Sequence, residues 1–239
     1  MKKDVCPKCL GTGYIVTMKQ GRSYARRCDC LLQRMENQRF QVIGIPRSLA
    51  EAGLDNYMAA FPFQEKAKKA VTAYLERFPD CRHGLLFMGP TGVGKTHLAV
   101  AVLKEIVART NETALFVDIT SLLQQVKREM GERSPDGEAR HDPIMEVAGV
   151  PYLLLDDLGA QKVSMWTQEK LRLIINHRYN NKLLTFVTTP FEDKPRNPEQ
   201  QSLEYRIGDL ARSRLYEMCK TIVIHGQDYR RLMINPKLK

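Results

Sequence analysis

No apolar run in this chain approaches the roughly 20 residues that a membrane-spanning helix needs. No internal repeat and no long low-complexity tract is present either. The opening Met1-Lys2-Lys3-Asp4 runs straight into a cysteine pair and lacks the apolar stretch of a secretory signal. These absences exclude a membrane protein and leave a cytoplasmic one as the expectation, with no membrane among its partners. In that compartment thiols stay reduced, and clustered cysteines mean metal more often than disulfide. What is present is an apolar fraction of 43%, enough for a real core, in 239 residues. That length suits one substantial domain and a small appendage.

Positive charge is concentrated at the ends. Residues 1–50 carry ten Lys/Arg against three Asp/Glu, a net +7, and residues 225–239 carry four against one, a net +3. The whole chain is +10, so the 174 residues between are neutral. A run of like charge is commonly just a solvated face. An excess gathered at one end points instead to a polyanion such as nucleic acid.

Residues Gly89-Pro90-Thr91-Gly92-Val93-Gly94-Lys95-Thr96 spell G-x4-G-K-T. The apolar Leu85-Leu86-Phe87-Met88 leads in as a buried strand, and residues 97–109, with Leu98, Val102 and Ile106 at helical spacing, lead out as a helix. Strand, glycine loop and helix together form a phosphate-binding loop, and this context sets aside a ligand-free glycine turn. Backbone N–H groups and the helix dipole face the phosphates. Lys95 reaches the β- and γ-phosphates, Thr96 places its hydroxyl on Mg²⁺, and His97 follows directly. The ligand is a nucleoside triphosphate, with ATP expected.

Cys6-Pro7-Lys8-Cys9 is followed, after eighteen intervening residues, by Cys28-Asp29-Cys30. A C-x2-C turn aims two thiolates at one ion. Tyr14-Ile15-Val16-Thr17 and Ser23-Tyr24-Ala25-Arg26 read as arms of a hairpin around Lys19-Gln20-Gly21, which returns the second pair to the first. Cys6, Cys9, Cys28 and Cys30 are therefore expected to hold one Zn²⁺, although C-x-C is tighter than the usual second half. A redox role is set aside because no thioredoxin-like βαβ surrounds the pair. Cys81 and Cys219 stand alone and read as packing residues.

A short helix is expected over residues 31–42, ended by Ile43-Gly44-Ile45-Pro46, where the domain boundary falls: a basic zinc module at 1–43 and an ATPase domain at 44–239. Further helices are expected at 64–78, 121–130, 167–180 and 203–218, and strands at 114–117, 152–155, 184–188 and 221–224. Residues 131–143 are polar, rich in mixed charge, and read as a mobile loop. Alternating strands and helices predict an α/β fold with a largely parallel sheet covered on both faces.

Tyr152-Leu153-Leu154-Leu155 ends in Asp156-Asp157, the form of a Walker B strand. Asp156 is expected in the Mg²⁺ shell, and Asp157 orients or deprotonates the attacking water. Where glutamate is usual, aspartate is one methylene shorter, which predicts slow hydrolysis. The stretches 89–99, 153–159, Val187-Thr188-Thr189, Ser213-Arg214-Leu215-Tyr216-Glu217-Met218-Cys219 and Asp228-Tyr229-Arg230 resemble the AAA+ ATPases of the DnaC/DnaI helicase-loader and IstB group. Ile45-Pro46 and Leu54-Asp55-Asn56-Tyr57 resemble the segment that, in this group, opens the ATPase domain near the adenine. The resemblance covers about residues 43–233, and the cysteine-bearing front resembles the loaders rather than IstB.

That resemblance implies an AAA+ P-loop fold with a reduced lid. Sensor 1 falls at the tip of the strand ending in Thr189, where Pro190 replaces the usual asparagine. Arg214 matches an arginine finger acting on a neighbouring subunit's ATP, and Arg230 matches sensor 2. A second family arginine is Leu210 here, and Arg206, two turns before Arg214, is the competing finger. The function implied is ATP-dependent delivery of a replicative hexameric DNA helicase, with single-stranded DNA binding, self-association on ATP or DNA, and slow, stimulated hydrolysis. A transposition helper of the IstB kind and a nucleotide-gated DNA-binding switch are the alternatives.

Overall fold

The computed structural model describes residues 6–19, 22–31, 43–131, 142–195 and 199–230. The helix expected over 31–42 and the loop expected over 131–143 lie almost wholly outside these residues. The chain separates into two compact units, residues 1–45 and 46–239. In the first, β1 (Tyr14–Lys19) pairs antiparallel with β2 (Arg22–Arg27), Tyr14 opposite Arg27 and Thr17 opposite Tyr24.

The second unit is built on β3 (Gly84–Met88), β4 (Ala114–Asp118), β5 (Tyr152–Asp156), β6 (Leu184–Thr189) and β7 (Cys219–Val223). The order across the sheet is β4-β5-β6-β3-β7, with every pairing parallel. All five residues of β3 are buried, as are the middle three of β5 and the last five of β6, whereas β4 and β7 alternate with exposed or half-buried positions. Continuous apolar runs thus take the centre of the sheet and alternating ones its edges, as a parallel sheet with helices on both faces requires.

Helices α1 (Pro62–Arg77), α2 (Lys95–Thr110), α3 (Ile119–Gly131), α4 (Pro143–Gly149), α5 (Met165–Asn180), α6 (Leu203–Ile207) and α7 (Asp209–Met218) complete the unit. Leu86, Met88, Leu153, Leu155 and Val187 share one core with Ile119, Leu171, Ile174 and Leu215. Neighbouring residues in the strands point the other way, and Phe186 there meets Tyr74 of α1 edge to face, ring centroids 6.3 Å apart. No helix among the described residues is long and apolar enough to cross a membrane.

Local chemistry explains where the elements depart from expectation. α1 starts two residues early because Pro62 is pre-set for the first turn and the Gln64 side chain accepts from the N–H groups of Ala60 and Phe61. α5 starts two residues early on a reciprocal cap between Ser164 and Thr167. The single helix expected over 203–218 is two helices, because Gly208 adopts φ 90° and ψ 148°. Arg206 and Arg214 therefore do not share the face of one helix. β7 begins at Cys219, two residues earlier than the apolar run suggested. α4 had no counterpart in the periodicity and is set by Asp142, which caps the Ile144 N–H, and Pro143 at its first turn.

Arg178, on α5, is fully buried. It donates to Thr185 Oγ1 at 2.8 Å and to the carbonyls of Ala148 (3.0 Å), Val150 (2.7 Å), Pro151 (3.3 Å) and Leu184 (2.5 Å). Burial lowers its pKa to about 10, so it stays charged at neutral pH while every partner is neutral. One guanidinium thus fastens the end of α4 and the starts of β5 and β6. Arg178→Met should lower the unfolding free energy by about 3 kcal/mol or more, since buried acceptors left bare cost about 1–3 kcal/mol each. Arg178→Lys, with three donors for five bonds, should recover only part of this, as read by urea denaturation.

Candidate functional site

The loop after β3 and the C-terminal end of β5 border a cavity of about 570 Å³, lined among others by Lys95, Thr96, Asp156, Asp157, Tyr57 and Arg230. Ligands of open α/β sheets bind at this edge, and the volume falls in the range of small-molecule sites. A larger hollow of about 640 Å³ lies beside it, between Thr91 and Pro190. The smaller one gathers the phosphate-loop lysine and the acids, and is the candidate nucleotide site.

The loop leaves β3 at Gly89 (φ 145°) and enters α2 at Gly94 (φ 94°), both in the region that disfavours side chains. A Cβ at Gly89 would run into the Ile224 carbonyl, and one at Gly94 would meet the Tyr57 ring at 2.7 Å. Tyr57 and Gln64 both donate to the Val93 carbonyl, at 3.3 and 3.1 Å, and Tyr229 N–H donates to the Gly92 carbonyl at 3.0 Å. The loop is thus braced from two directions. Lys95 is 5% exposed and donates to the Pro90 carbonyl at 2.8 Å. Burial lowers its pKa, opposed by Asp157 and Asp156 and reinforced by Arg230, which places Arg230 within electrostatic reach.

Thr96 and Thr188 both donate to the same oxygen of Asp156, at 2.9 and 2.6 Å. Asp157 N–H donates to Thr188 Oγ1 at 2.9 Å. Asp157 adopts φ 54°, a left-handed conformation that aspartate tolerates better than most residues and that recurs at functional sites. Burial raises the pKa of Asp156, with a further push from Asp157, while the two threonine bonds hold it down. A hydroxyl and a carboxylate in contact at the mouth of a phosphate loop are hard oxygen ligands suited to Mg²⁺. Thr96 and Asp156 are the residues that would hold it.

Other expected residues take different places. Thr189 is buried and donates to the Leu158 carbonyl at 2.7 Å, so its hydroxyl is committed to the chain beneath the site. The strand residue that reaches the acids is Thr188. Pro190 borders the neighbouring hollow and offers no donor. His97 does line the cavity, where it pairs through Nε2 with the Gly53 carbonyl at 2.8 Å and packs on Tyr57. Arg206 donates to the carbonyls of Gly159 (2.6 Å) and Gln161 (2.5 Å) and to Gln201 (2.8 Å), and it covers the Phe191 ring. Three of its five N–H groups are thus engaged within its own subunit, which ties it to the turn after Asp157. Arg214 lies over Tyr179 and does not line the nucleotide cavity of its own chain. Thr188 and Gln64 were missed: the sequence showed both, but only register and long-range contact reveal their partners.

In the first unit the four sulfurs of Cys6, Cys9, Cys28 and Cys30 lie within 4.8 Å of one another. Cys6–Cys28 and Cys9–Cys30 are 3.9 and 3.3 Å apart. Tetrahedral zinc with Zn–S of about 2.3 Å needs sulfurs about 3.8 Å apart, so the cluster fits. Cys9 Sγ also accepts from Gly13 N–H at 3.3 Å. The Cys30 contact pulls the Cys9 thiol down to about 6 and pushes Cys30 up to about 12, so one thiolate of the pair forms readily. By contrast, burial pushes Cys219 up to about 12, and Cys81 is buried against the Tyr74 carbonyl.

A family model described as IstB-like ATP binding protein matches residues 17–233. The chain belongs to this family. Among its relatives, the replicative helicase loader DnaC of Escherichia coli K12 is 24% identical over 65% of this chain and 62% of its own length. A protein of insertion sequence IS5376 from Geobacillus stearothermophilus, named for ATP binding, is 31% identical over 44% of this chain and 39% of its own. A crystal structure of the DnaC helicase loader superposes with a TM-score of 0.63 at 34% identity, covering 75% of this chain and 99% of that one. The chain spans 60–62% of the first curated relatives it matches. The fold of this IstB-like protein is that of the AAA+ P-loop ATPases.

Two outcomes test these sites. Cys28→Ser should lose zinc in metal analysis of the reduced protein and unfold the first unit, because structural zinc supplies about 10–16 kcal/mol of apparent binding energy. ATP binding by the second unit should persist. Thr188→Val should keep ATP affinity but slow Mg²⁺-dependent hydrolysis about 10–100-fold, as loss of a group orienting a ligating carboxylate does. Nucleotide titration and steady-state turnover separate the two effects.

Proposed function

We propose that this IstB-like protein is an ATP-dependent loader of a replicative hexameric DNA helicase, working in the cytoplasm on single-stranded DNA. The observation that carries the reading is the likeness to the DnaC helicase loader across 99% of that chain, at 34% identity. The braced phosphate loop with Lys95, Thr96, Asp156 and Asp157 at one cavity supports it independently. Residues 1–50 are net +7 and include the four-cysteine cluster, so the zinc-loaded front stays basic and suits a polyanion or the helicase.

The residues divide the work as follows. Lys95 exchanges the Pro90 carbonyl for the triphosphate, and Arg230 adds charge at the same cavity. Thr96 and Asp156 hold Mg²⁺, which neutralises phosphate charge when bound. Asp157 accepts the proton of the attacking water. Arg214 reaches the ATP of a neighbouring subunit, so hydrolysis waits on assembly and ATP acts as the switch between DNA-bound and released states.

A switch with little hydrolysis is the second reading, favoured by Thr189 being committed to Leu158 and by Pro190 lacking a donor. Turnover with and without single-stranded DNA separates the two. In the loader reading Asp157→Asn binds ATP without hydrolysing it, and Arg214→Ala binds ATP normally but loses DNA-stimulated turnover. An arginine finger can be worth about 10³–10⁵ in rate. Mixing these two variants should restore activity, because one interface then combines an intact Asp157 with an intact Arg214. Parental turnover by Arg214→Ala would falsify the composite site. Preference for duplex over single strands would favour a transposition helper instead.

A further inference from the structure

We propose that Tyr179 is the positioning residue for Arg214, holding its guanidinium ready for a neighbouring subunit; this rests on the reading of Arg214 as a finger acting in trans. Tyr179 stands in the last turn of α5, against α7. The Arg214 guanidinium carbon lies 5.3 Å from its ring centroid, within the distance at which an aromatic face attracts a cation. The Tyr179 hydroxyl donates to Glu217 Oε2 at 2.8 Å. Glu217 is three residues beyond Arg214, so both project from one face of α7. The phenol is therefore clasped to α7 at two points, with its ring under the arginine and its hydroxyl on the glutamate.

The second contact has a consequence for the first. A carboxylate three residues from an arginine on a helix is its natural ion-pair partner. Here that carboxylate is engaged by Tyr179, and no ion pair of Arg214 occurs among the described residues. Arg214 Nη1 is buried and has no hydrogen-bond acceptor among them. The nearby arginines differ: Arg212 is 1% exposed and binds both oxygens of Asp193, at 2.5 and 2.6 Å, and Arg206 is spent on backbone carbonyls. Arg212 also lies on a ring, Tyr216, and Arg206 on Phe191, but Arg214 alone of the three has no hydrogen-bond acceptor for any of its N–H groups among the described residues. Nη1 is closed to an outside oxygen, but the rest of this half-buried guanidinium keeps donors that an anionic phosphate oxygen from another subunit can engage, and a side chain already held on a ring loses less freedom when it does so.

The test uses the full-length protein with single-stranded DNA and ATP. Tyr179→Leu should lower DNA-stimulated kcat at least about tenfold while leaving the KM for ATP and the melting temperature near those of the parent, because only transition-state contact is lost. Tyr179→Phe, which keeps the ring, should stay within about threefold. Complementation gives a readout that a merely structural role does not move. Tyr179→Leu mixed with Asp157→Asn should regain activity, whereas Tyr179→Leu mixed with Arg214→Ala should not, since no subunit then offers a working finger. Tyr179→Met, closer in volume, is the parallel variant should leucine lower the melting temperature. Parental turnover in Tyr179→Leu or Tyr179→Met beside a defective Arg214→Ala overturns the positioning role and leaves the finger standing. Rescue of Tyr179→Leu by Arg214→Ala also overturns it. Parental turnover in Arg214→Ala itself sinks the finger reading and this inference with it.

Discussion

One oxygen of Asp156 accepts hydroxyls from both Thr96 and Thr188, and the placing of the nucleotide site follows from that shared contact. Thr96 opens α2, Asp156 closes β5 and Thr188 lies near the end of β6, so a single carboxylate registers a helix and two strands against one another. Burial makes the acid costly to ionise, and the two donors offset that cost. Thr188 also accepts from the Asp157 N–H, which fixes the backbone of the second acid in its left-handed turn. Moving any of the three elements by one residue would break the shared contact, because adjacent strand residues face opposite sides of the sheet.

Around this hub, Arg178 and Arg206 are held by neutral partners, whereas Arg212 is paired with the Asp193 carboxylate and Lys95 keeps donors for the site. Arg178 uses all five of its N–H groups on a hydroxyl and four carbonyls, and Arg206 ties the turn after Asp157 to α6. Both give up charge pairing for geometry, since a planar fork can fasten several loops that no single carboxylate would reach. Lys95 is different. Its one described bond, to the Pro90 carbonyl, is a weaker partner than a triphosphate, so it can be exchanged without leaving a buried charge unmet. Arg214 is likewise supported but not consumed.

The small front unit depends on different physics. A two-stranded hairpin is at best marginal in water, and Tyr14, Val16, Met18 and Tyr24 are all exposed. Among the described residues of this unit the buried side chains are Cys9 and Cys28, at the sulfur cluster, and Ile43, none of them on the hairpin faces. A metal held by that cluster would tie the unit's fold together in a way that the sheet of the second unit does not need.

Local patterns in the sequence determined the phosphate loop, the apolar central strands, the parallel α/β class and the pairing of cysteines across a hairpin, because these rest on spacing within a few residues of one another. Boundaries shifted where a cap outside the periodic stretch decided them, as at Pro62 and Ser164. Only the tertiary structure decided between Thr188 and Thr189, since consecutive threonines differ in nothing but the face of the sheet they occupy. It also tied Arg206 to carbonyls more than forty residues away in sequence, and split the last long helix at a glycine whose conformation no periodicity reveals. Arg178 reads from the sequence as an ordinary helix arginine; its five partners come from two segments, 148–151 and 184–185, that approach one another only once the sheet is assembled.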